Sequence, residues 1–155
     1  MQGADEFQRG GAVFMKIAIG ADHAGFEYKS LLAAFLKAKG HDVTDCGTDS
    51  AEQVDYPVYA EKVCRLVEDA AADTGILICG TGIGMSMAAN RHKGIRAAVC
   101  GDVKSAEFTR LHNDANILCM GARIIPYDLA QKIAEIYLST DFLGGKHQKR
   151  IELFS

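Results

Sequence analysis

One stretch near the middle of the chain, from Ile76 to Gly84, constrains the fold more than any other. It reads ILICGTGIG, an apolar run that ends at Cys79 and continues into three glycines at alternate positions. Such a pattern predicts a buried strand, a tight backbone loop and the start of a helix. Backbone N–H groups in that loop point at one spot, and the helix dipole favours negative charge there. Because Cys79 lies beside this spot, we expect the same field to favour its thiolate over its thiol.

Strands and helices are predicted to alternate along the rest of the chain. Short apolar runs predict strands at 16–19, 43–46, 75–79, 95–100 and 116–120. Apolar residues at helical spacing predict helices within 28–36, 59–67, 85–90, 103–112 and 126–137. A chain of 155 residues with this order is predicted to form a single α/β domain. Its strands are apolar on both faces, which predicts a Rossmann-like three-layer sandwich with a five-stranded parallel sheet.

The two ends of the chain depart from this pattern. Residues 1–14 lack the apolar segment of a signal peptide, and we predict a disordered extension or a vector-derived remnant there. The predicted domain therefore spans residues 15–155. Near the other end, residues 144–150 read GGKHQKR, which predicts a basic tail with enough glycine freedom to fold over a ligand.

Polar side chains follow three of the predicted strands. Asp22 and His23 come after the first strand, Cys79 after the third and Arg123 after the fifth. Ligands of parallel α/β sheets bind outside the carboxyl ends of the strands. We therefore expect these four residues to lie at one edge of the sheet.

Charge, hydropathy and cysteine content exclude several classes of function. A net charge of −3 does not favour nucleic acid as a partner, and the chain has no apolar run long enough to span a membrane. The five cysteines are an odd number and form no C-x-x-C pair. This pattern argues against a disulfide framework and against a structural zinc site, and it predicts reduced thiols in the cytoplasm.

A dinucleotide site is the main alternative for the glycine loop. The dinucleotide fingerprint is G-x-G-x-x-G, whereas this chain has Met85 at the position of the third glycine. Asp102 does lie at about the distance expected for the acidic residue of that fingerprint. A Walker loop is excluded because no Lys-Ser or Lys-Thr closes the stretch. A non-catalytic nucleotide-binding or redox-sensing module therefore stays open as an alternative.

Taken one at a time, the candidate residues also have ordinary structural explanations. Cys79 fits a small buried apolar residue, and Asp22 fits the N-cap of a helix. His112 fits a helix C-terminus, where the dipole favours a cation. Arg123 fits a surface ion pair, and the residues from 146 to 150 fit a solvated basic tail.

Six motifs follow one another along the chain: GADHAGF at 20–26, DYP at 55–57, ICGTGIG at 78–84, GIRA at 94–97, HNDAN at 112–116 and GGKHQKR at 144–150. Together, over Met15 to about Ile151, they resemble the ribose-5-phosphate isomerase B family, which includes the galactose-6-phosphate isomerase subunits. Each motif alone is weak, and the set in this order is specific.

The resemblance implies an aldose–ketose isomerase without metal or cofactor, which interconverts ribose 5-phosphate and ribulose 5-phosphate through an enediolate. Cys79 is then the base, and Thr81 lies beside donors that stabilise the developing charge. The implied donors are the loop N–H groups of Gly80, Gly82, Ile83 and Gly84. One branch of the family has a carboxylate just after the last loop glycine, where this chain has Met85. The chain therefore resembles the cysteine branch.

The resemblance also implies residues that act on the rest of the substrate. His112 matches the histidine that opens the sugar ring, and its usual pKa range suits that role. The implied substrate-binding residues are Asp22, His23, Asn113, Arg123, Lys146 and Arg150. The last three form the implied phosphate pocket, and Lys146 stands where the family often has arginine. Lysine cannot make the planar two-point contact of arginine with phosphate.

The identity of the sugar and the assembly of the protein follow less directly. Galactose 6-phosphate, allose 6-phosphate and a tetrose phosphate stay open as alternative substrates. The resemblance implies a homodimer or a dimer of dimers whose active sites are shared between subunits. His112, Arg123, Lys146 and Arg150 are the candidates for reaching across that interface.

Overall fold

The structure is a computed structural model that describes residues 14–155. The predicted extension falls almost entirely on residues 1–13, which lie outside the described residues. Within the described part of the chain, no helix is long and apolar enough to cross a lipid bilayer.

Five strands and six helices alternate in the described part of the chain. The strands are β1 (Lys16–Ala21), β2 (Asp42–Asp45), β3 (Thr74–Cys79), β4 (Ala97–Val99) and β5 (Ile117–Gly121). The helices are α1 (Phe26–Ala38), α2 (Tyr56–Glu68), α3 (Ile83–Ala89), α4 (Val103–Asn113), α5 (Tyr127–Ser139) and α6 (Lys146–Glu152). The strands form one parallel sheet in the order β2-β1-β3-β5-β4, which confirms the predicted fold class.

The sheet is covered by helices on both faces. Successive residues of the central strands alternate between two cores, because side chains on a strand point to opposite faces in turn. Ile76 and Ile78 pack under α1, α4 and α5, whereas Leu77 and Cys79 pack under α2 and α3. All six residues of β3 are buried, as expected for the centre of a three-layer sandwich.

The connections after β1 and β3 lead towards opposite sides of the sheet. β1 pairs with β2 on one side and with β3 on the other, so the helix after β1 leads towards β2 and the helix after β3 leads away from it. In open α/β sheets such a switch point leaves a crevice at the carboxyl ends of the strands. The residues that follow β1 and β3 line this crevice.

From Lys146 onward, the residues predicted as a basic tail form helix α6, which the sequence pattern did not predict. Gly144 and Gly145 have φ of +72° and +61°, which turns the chain into the helix. Ile151 is only 5% exposed, and α6 packs against α4. This one apolar residue in a basic segment anchors the helix, and the sequence pattern did not indicate the surface that buries it.

Gly25, at the start of α1, lies directly against the end of β3. A Cβ atom there would lie 2.7 Å from the carbonyl carbon of Ile78, closer than real Cβ contacts. This contact sets the loop after β1 against β3, next to Cys79. The glycine is therefore required by a close backbone approach.

We predict that Gly25→Ala lowers the free energy of unfolding by about 2 kcal/mol, the usual cost of overpacking. That change corresponds to a fall in Tm of roughly 4–8 °C for a domain of this size. Gly101→Ala is the matched control, because a Cβ atom at Gly101 meets nothing within 4 Å. Thermal unfolding at one protein concentration measures both variants, and equal Tm values for the two would contradict the prediction.

Candidate active site

The loop after β3 holds the sulfur of Cys79 by a backbone hydrogen bond. The N–H of Gly82 donates to Cys79 Sγ at 3.1 Å, in a loop where Gly82 has φ +82°. The loop is anchored to the end of β5, since Ala122 N–H donates to the Cys79 carbonyl and Arg123 N–H to the Gly80 carbonyl, both at 2.9 Å. Main-chain groups therefore hold the thiol from the side of the loop.

The glycines here are required by contact between two stretches of backbone. A Cβ atom on Gly82 would lie 2.9 Å from the carbonyl carbon of Met120, and one on Gly121 would lie 2.5 Å from that of Thr81. Because both distances are below any real Cβ contact, only glycine lets the loop rest on β5. The tight loop predicted from the sequence thus has a tertiary cause.

Two of the loop N–H groups predicted to face a ligand are engaged within the loop. Gly82 N–H is bound to Cys79 Sγ, and Ile83 N–H donates to Thr81 Oγ1 at 3.2 Å. The Thr81 hydroxyl uses an oxygen lone pair as acceptor in this contact, which leaves its own proton available to a ligand. Thr81 is exposed at the crevice, so its hydroxyl has access to one.

Asp22 closes the crevice on the β1 side and is largely buried. Its Oδ1 accepts hydrogen bonds from Ala24 N–H at 2.9 Å and Gly25 N–H at 3.2 Å. Its own N–H donates to the Ile78 carbonyl at 3.2 Å, which ties the loop to β3 beside Cys79. Asp22 thus closes a turn ahead of α1 and is not the N-cap of that helix, which is Gly25, and its predicted binding role stays a prediction.

His23 faces the same crevice in a defined tautomer. Its Nδ1 accepts a hydrogen bond from Val54 N–H at 3.2 Å, so the neutral ring carries its proton on Nε2. That N–H is a donor for a ligand hydroxyl or phosphate oxygen. The guanidinium of Arg123 lies against Gly80, where a Cβ atom would be 3.4 Å from Arg123 Nη1.

Tyr56 contacts the glycine loop, and the sequence assigned it no role. Its ring lies over Gly84, where a Cβ atom would be 2.7 Å from Cζ of the tyrosine. The ring is about one-third exposed and borders the crevice. The DYP motif at 55–57 was the available signal, but the motif does not reveal that its tyrosine covers the last loop glycine.

A second cluster of candidate residues lies at the end of α4 and on α6. The ring of His112 stacks on His147, with centroids 4.3 Å apart and planes 12° apart, and Phe108 packs at 5.1 Å. Lys146 and Arg150 are exposed on the same helix as His147. The sequence gave His147 no catalytic role, whereas the structure puts it in direct contact with His112.

The two clusters lie at opposite edges of the sheet within one chain. Helix α4 runs against the strand direction, so its end near His112 and Asn113 returns to the edge where strands begin. The carbonyl of Asn116 accepts hydrogen bonds there from Thr74 Oγ1 and Gly75 N–H, both at 3.0 Å. β3 runs five residues from Thr74 to Cys79, a distance of roughly 16 Å. One chain therefore carries two separate halves of the predicted site.

Three other cysteines of the described chain have pKa values that burial raises. Burial raises the pKa of Cys64 to about 12 and that of Cys100 to about 11. Burial also raises the pKa of Cys119 well above its ordinary value. These three sulfurs stay protonated near neutral pH and have no opening to the crevice. All five cysteines are free thiols.

Metal-binding residues are not grouped in the described part of the chain. No three His, Cys, Asp or Glu side chains of residues 14–155 converge in a way that holds a metal ion.

Comparisons with known proteins give one family. A family model described as Ribose/Galactose Isomerase matches residues 17–154. The chain is 47% identical over 137 residues to ribose-5-phosphate isomerase B of Escherichia coli (strain K12), covering 88% of this chain and 92% of that protein. It is 48% identical to ribose-5-P isomerase B of Listeria innocua, covering 90% and 94%.

Solved structures show the same likeness. A ribose-5-phosphate isomerase B structure from Clostridium thermocellum superposes with a TM-score of 0.89 at 48% identity, covering 90% of this chain and 94% of that one. A ribose 5-phosphate isomerase structure from Thermotoga maritima superposes with a TM-score of 0.88 at 51% identity, covering 90% and 96%.

We predict that His147 titrates below the ordinary histidine pKa of about 6.5. Desolvation lowers the pKa of His147, and His112, Lys146 and Arg150 lower it further. Because the pKa of His147 is lower in the folded protein than in the unfolded one, its full contribution to the free energy of unfolding is present above the unfolded pKa. That contribution is lost as the pH falls through the folded pKa. Titration of the ring carbon resonances by NMR measures this pKa.

The matched variants are His112→Ala and His92→Ala. Removing His112 takes away one neighbour that lowers the pKa of His147, so this pKa moves upward. His92→Ala is the control: His92 lies beside Glu68 on the other face of the sheet, so its removal leaves the pKa of His147 in place. A His147 pKa that is unchanged in His112→Ala would contradict the electrostatic contact between the two rings.

Proposed function

This chain belongs to the ribose/galactose isomerase family, and from that premise we propose that it interconverts ribose 5-phosphate and ribulose 5-phosphate through an enediolate. It is an isomerase of phosphorylated sugars, and the relatives named ribose-5-phosphate isomerase B support the pentose substrate. The observation that carries the proposed chemistry is the thiol of Cys79, held by Gly82 N–H at the crevice between β1 and β3.

Cys79 is the base of the proposed reaction. A hydrogen bond from a backbone N–H to sulfur favours the thiolate, because the donor interacts more strongly with the charged form. The thiolate takes the proton from C2 of the aldose, and the resulting thiol returns a proton to C1 to complete the ketose. A proton also moves from the C2 hydroxyl to the C1 oxygen, so the isomerisation is balanced without an external reductant or oxidant.

The glycine loop stabilises the charge that develops on the substrate oxygens. Loop N–H groups at Gly80 and Gly84 and the hydroxyl of Thr81 supply fixed donors beside Cys79. Preorganised donors of this kind are typically each worth about 3 kcal/mol in the transition state. His23 Nε2–H and the carboxylate of Asp22 serve the substrate hydroxyls from the β1 side of the crevice.

The second half of the site comes from another copy of the chain. His112, proposed to open the sugar ring, lies in its own subunit at the edge where β3 begins, and β3 alone spans roughly 16 Å between that edge and Cys79. A two-fold axis exchanges the same surfaces between two copies, so one operation completes two sites. We therefore assign a homodimer, or a pair of such dimers, as the active species.

Exposed apolar side chains lie beside the loop and support this assembly. Ile83 and Met87 on α3 are 51% and 68% exposed, and Phe108, next to His112, is 44% exposed. Burying these groups between copies removes apolar surface from water, at about 25 cal/mol per Å².

Cations from both halves bind the phosphate in the proposed site. Arg123 lies against the loop of its own chain, which places it with Cys79. Lys146 and Arg150 lie on α6 and come with His112 from the other copy. Arginine binds phosphate at two points, whereas Lys146 contributes a single ammonium charge.

A comparison of reaction rates over aldose phosphates of four to six carbons identifies the preferred sugar.

We predict that Cys79→Ala lowers kcat on ribose 5-phosphate by about 100-fold or more, the usual contribution of a general base. The assay measures ribulose 5-phosphate formation in buffer with a chelator. Cys46→Ala is the matched control, because Cys46 is a free, partly buried thiol after β2, and β1 separates β2 from β3 in the sheet. Full activity in Cys79→Ala would remove this residue as the base.

We predict that two variants, each strongly impaired alone, restore activity when their subunits are mixed. Cys79→Ala and His112→Ala, unfolded and refolded together in equal amounts, form mixed dimers in which one site is intact. Random pairing gives about a quarter of wild-type activity. Each variant refolded alone is the control. No recovery in mixtures shown by mass spectrometry to contain mixed dimers would contradict a site shared between subunits.

A further inference from the structure

The turn that follows α4 is held by a cluster of charged residues that the proposed chemistry does not use. We propose that Asp114, bound between Arg96 and Arg110, is a positioning residue that fixes His112 at the end of α4. The inference rests on the proposed role of His112 in the reaction. It concerns the half of the site that one subunit offers to the other.

Asp114 is contacted from two sides by guanidinium groups. Its Oδ1 accepts a hydrogen bond from Arg110 Nη1 at 2.9 Å, and its Oδ2 lies 3.4 Å from Arg96 Nη2. Arg96 Nε also donates to the backbone carbonyl of Asp114 at 2.8 Å. One arginine therefore binds both the side chain and the main chain of the residue that ends the helix.

The backbone of Asp114 adopts a conformation that needs such support. Its φ is +48° and ψ +45°, the left-handed region that non-glycine residues rarely adopt. In this conformation its N–H donates to the Thr109 carbonyl, which closes the last turn of α4. Since His112 lies within that turn, the geometry at Asp114 sets the direction in which His112 is presented.

Both arginines are themselves anchored to other parts of the fold. Arg110 Nε donates to the Thr140 carbonyl at 3.0 Å, and its Nη1 donates to the Ala115 carbonyl at 2.7 Å. These bonds tie the end of α4 to the end of α5 and to the chain that enters β5. A movement of Asp114 would therefore break contacts on several elements.

Arg96 is fixed by the start of β5. Its backbone N–H donates to Asn116 Oδ1 at 2.7 Å, and Asn116 Nδ2 donates to the Gly94 carbonyl at 2.9 Å. The GIRA motif at 94–97 and the last three residues of the HNDAN motif thus form one connected network. The network accounts for the motif residues that have no part in the proposed proton transfers.

Partial burial makes this network stronger than a surface ion pair. The side chains of Arg96, Arg110 and Asp114 are 24%, 19% and 34% exposed, respectively. By contrast, the surface pair of Arg65 and Glu61 is 68% and 49% exposed. Water screens the second pair much more than the first, so only the first resists displacement of its backbone.

Fixing the helix end matters because His112 has to act on a substrate held mainly by another subunit. The ring of His112 contacts the rings of Phe108 and His147. These contacts fix the rings relative to one another, but they do not fix the main chain at the end of α4. A displacement of about 1 Å in a catalytic group costs as much as 100-fold in rate. Asp114 restrains the main chain that the ring contacts do not hold.

The test is a double-mutant cycle between Asp114 and His112. Asp114→Asn removes the charge, keeps the size and tolerates the left-handed backbone. We expect kcat/KM for ribose 5-phosphate to fall about tenfold in the wild-type background and less than twofold in His112→Ala, because residues that act through one another are not additive. Asp114→Gly is a second variant, because glycine adopts the left-handed backbone conformation and lacks the carboxylate. We expect the same two results for its kcat/KM, a fall of about tenfold in the wild-type background and of less than twofold in His112→Ala.

The control is Glu61→Gln, which makes the same chemical change in an i,i+4 pair with Arg65 on α2. Its kcat/KM stays at the wild-type value. Light scattering verifies that the variants keep the wild-type assembly, so that a loss of subunit contact is not mistaken for misplacement of His112.

Three results would overturn the proposal. Equal losses from Asp114→Asn in both backgrounds would show a general structural effect that does not act through His112. Wild-type activity in both Asp114 variants, with His112→Ala impaired, would show that the network does not position the histidine. Unchanged activity in His112→Ala itself would remove the premise, and would identify the proposed role of His112 as the part that fails.

Discussion

The close approach of two backbone segments, the loop after β3 and the end of β5, is the constraint on which the rest of the site depends. Gly121 rests on the main chain of Thr81, and Gly82 rests on that of Met120, at distances that exclude any side chain. This packing turns the N–H of Gly82 towards Cys79 Sγ at 3.1 Å. The thiol is thereby held by main-chain groups that have no rotamer freedom, as a preorganised site requires.

The parallel sheet imposes the second constraint, which concerns where the halves of the site lie. A helix that joins two parallel strands has to run back to the edge where strands begin. Residues that follow strands, such as Cys79, therefore lie at one edge, and residues that end helices, such as His112, lie at the other. The parallel topology is therefore the basis on which we propose a site shared between two copies of the chain.

The order of strands and helices could be predicted from the sequence because each element is marked by its own local pattern. The edge shared by Asp22, Cys79 and Arg123 could also be predicted, since it follows from the parallel topology. Helix α6 could not be predicted, because glycines and basic residues are typical of a tail and only Ile151 anchors it. Contacts made between distant segments, including Tyr56 on Gly84 and His147 on His112, have no local signal.

The sequence by itself determined the fold class, the loop at Cys79 and the motifs that resemble one family of isomerases. It did so because hydrophobic period, glycine spacing and strand order are properties of the chain read along its length. Only the tertiary structure decided that His147 stacks on His112 and that Asp114 lies between Arg96 and Arg110. These are distances between residues far apart in the chain, and they follow from how the layers pack.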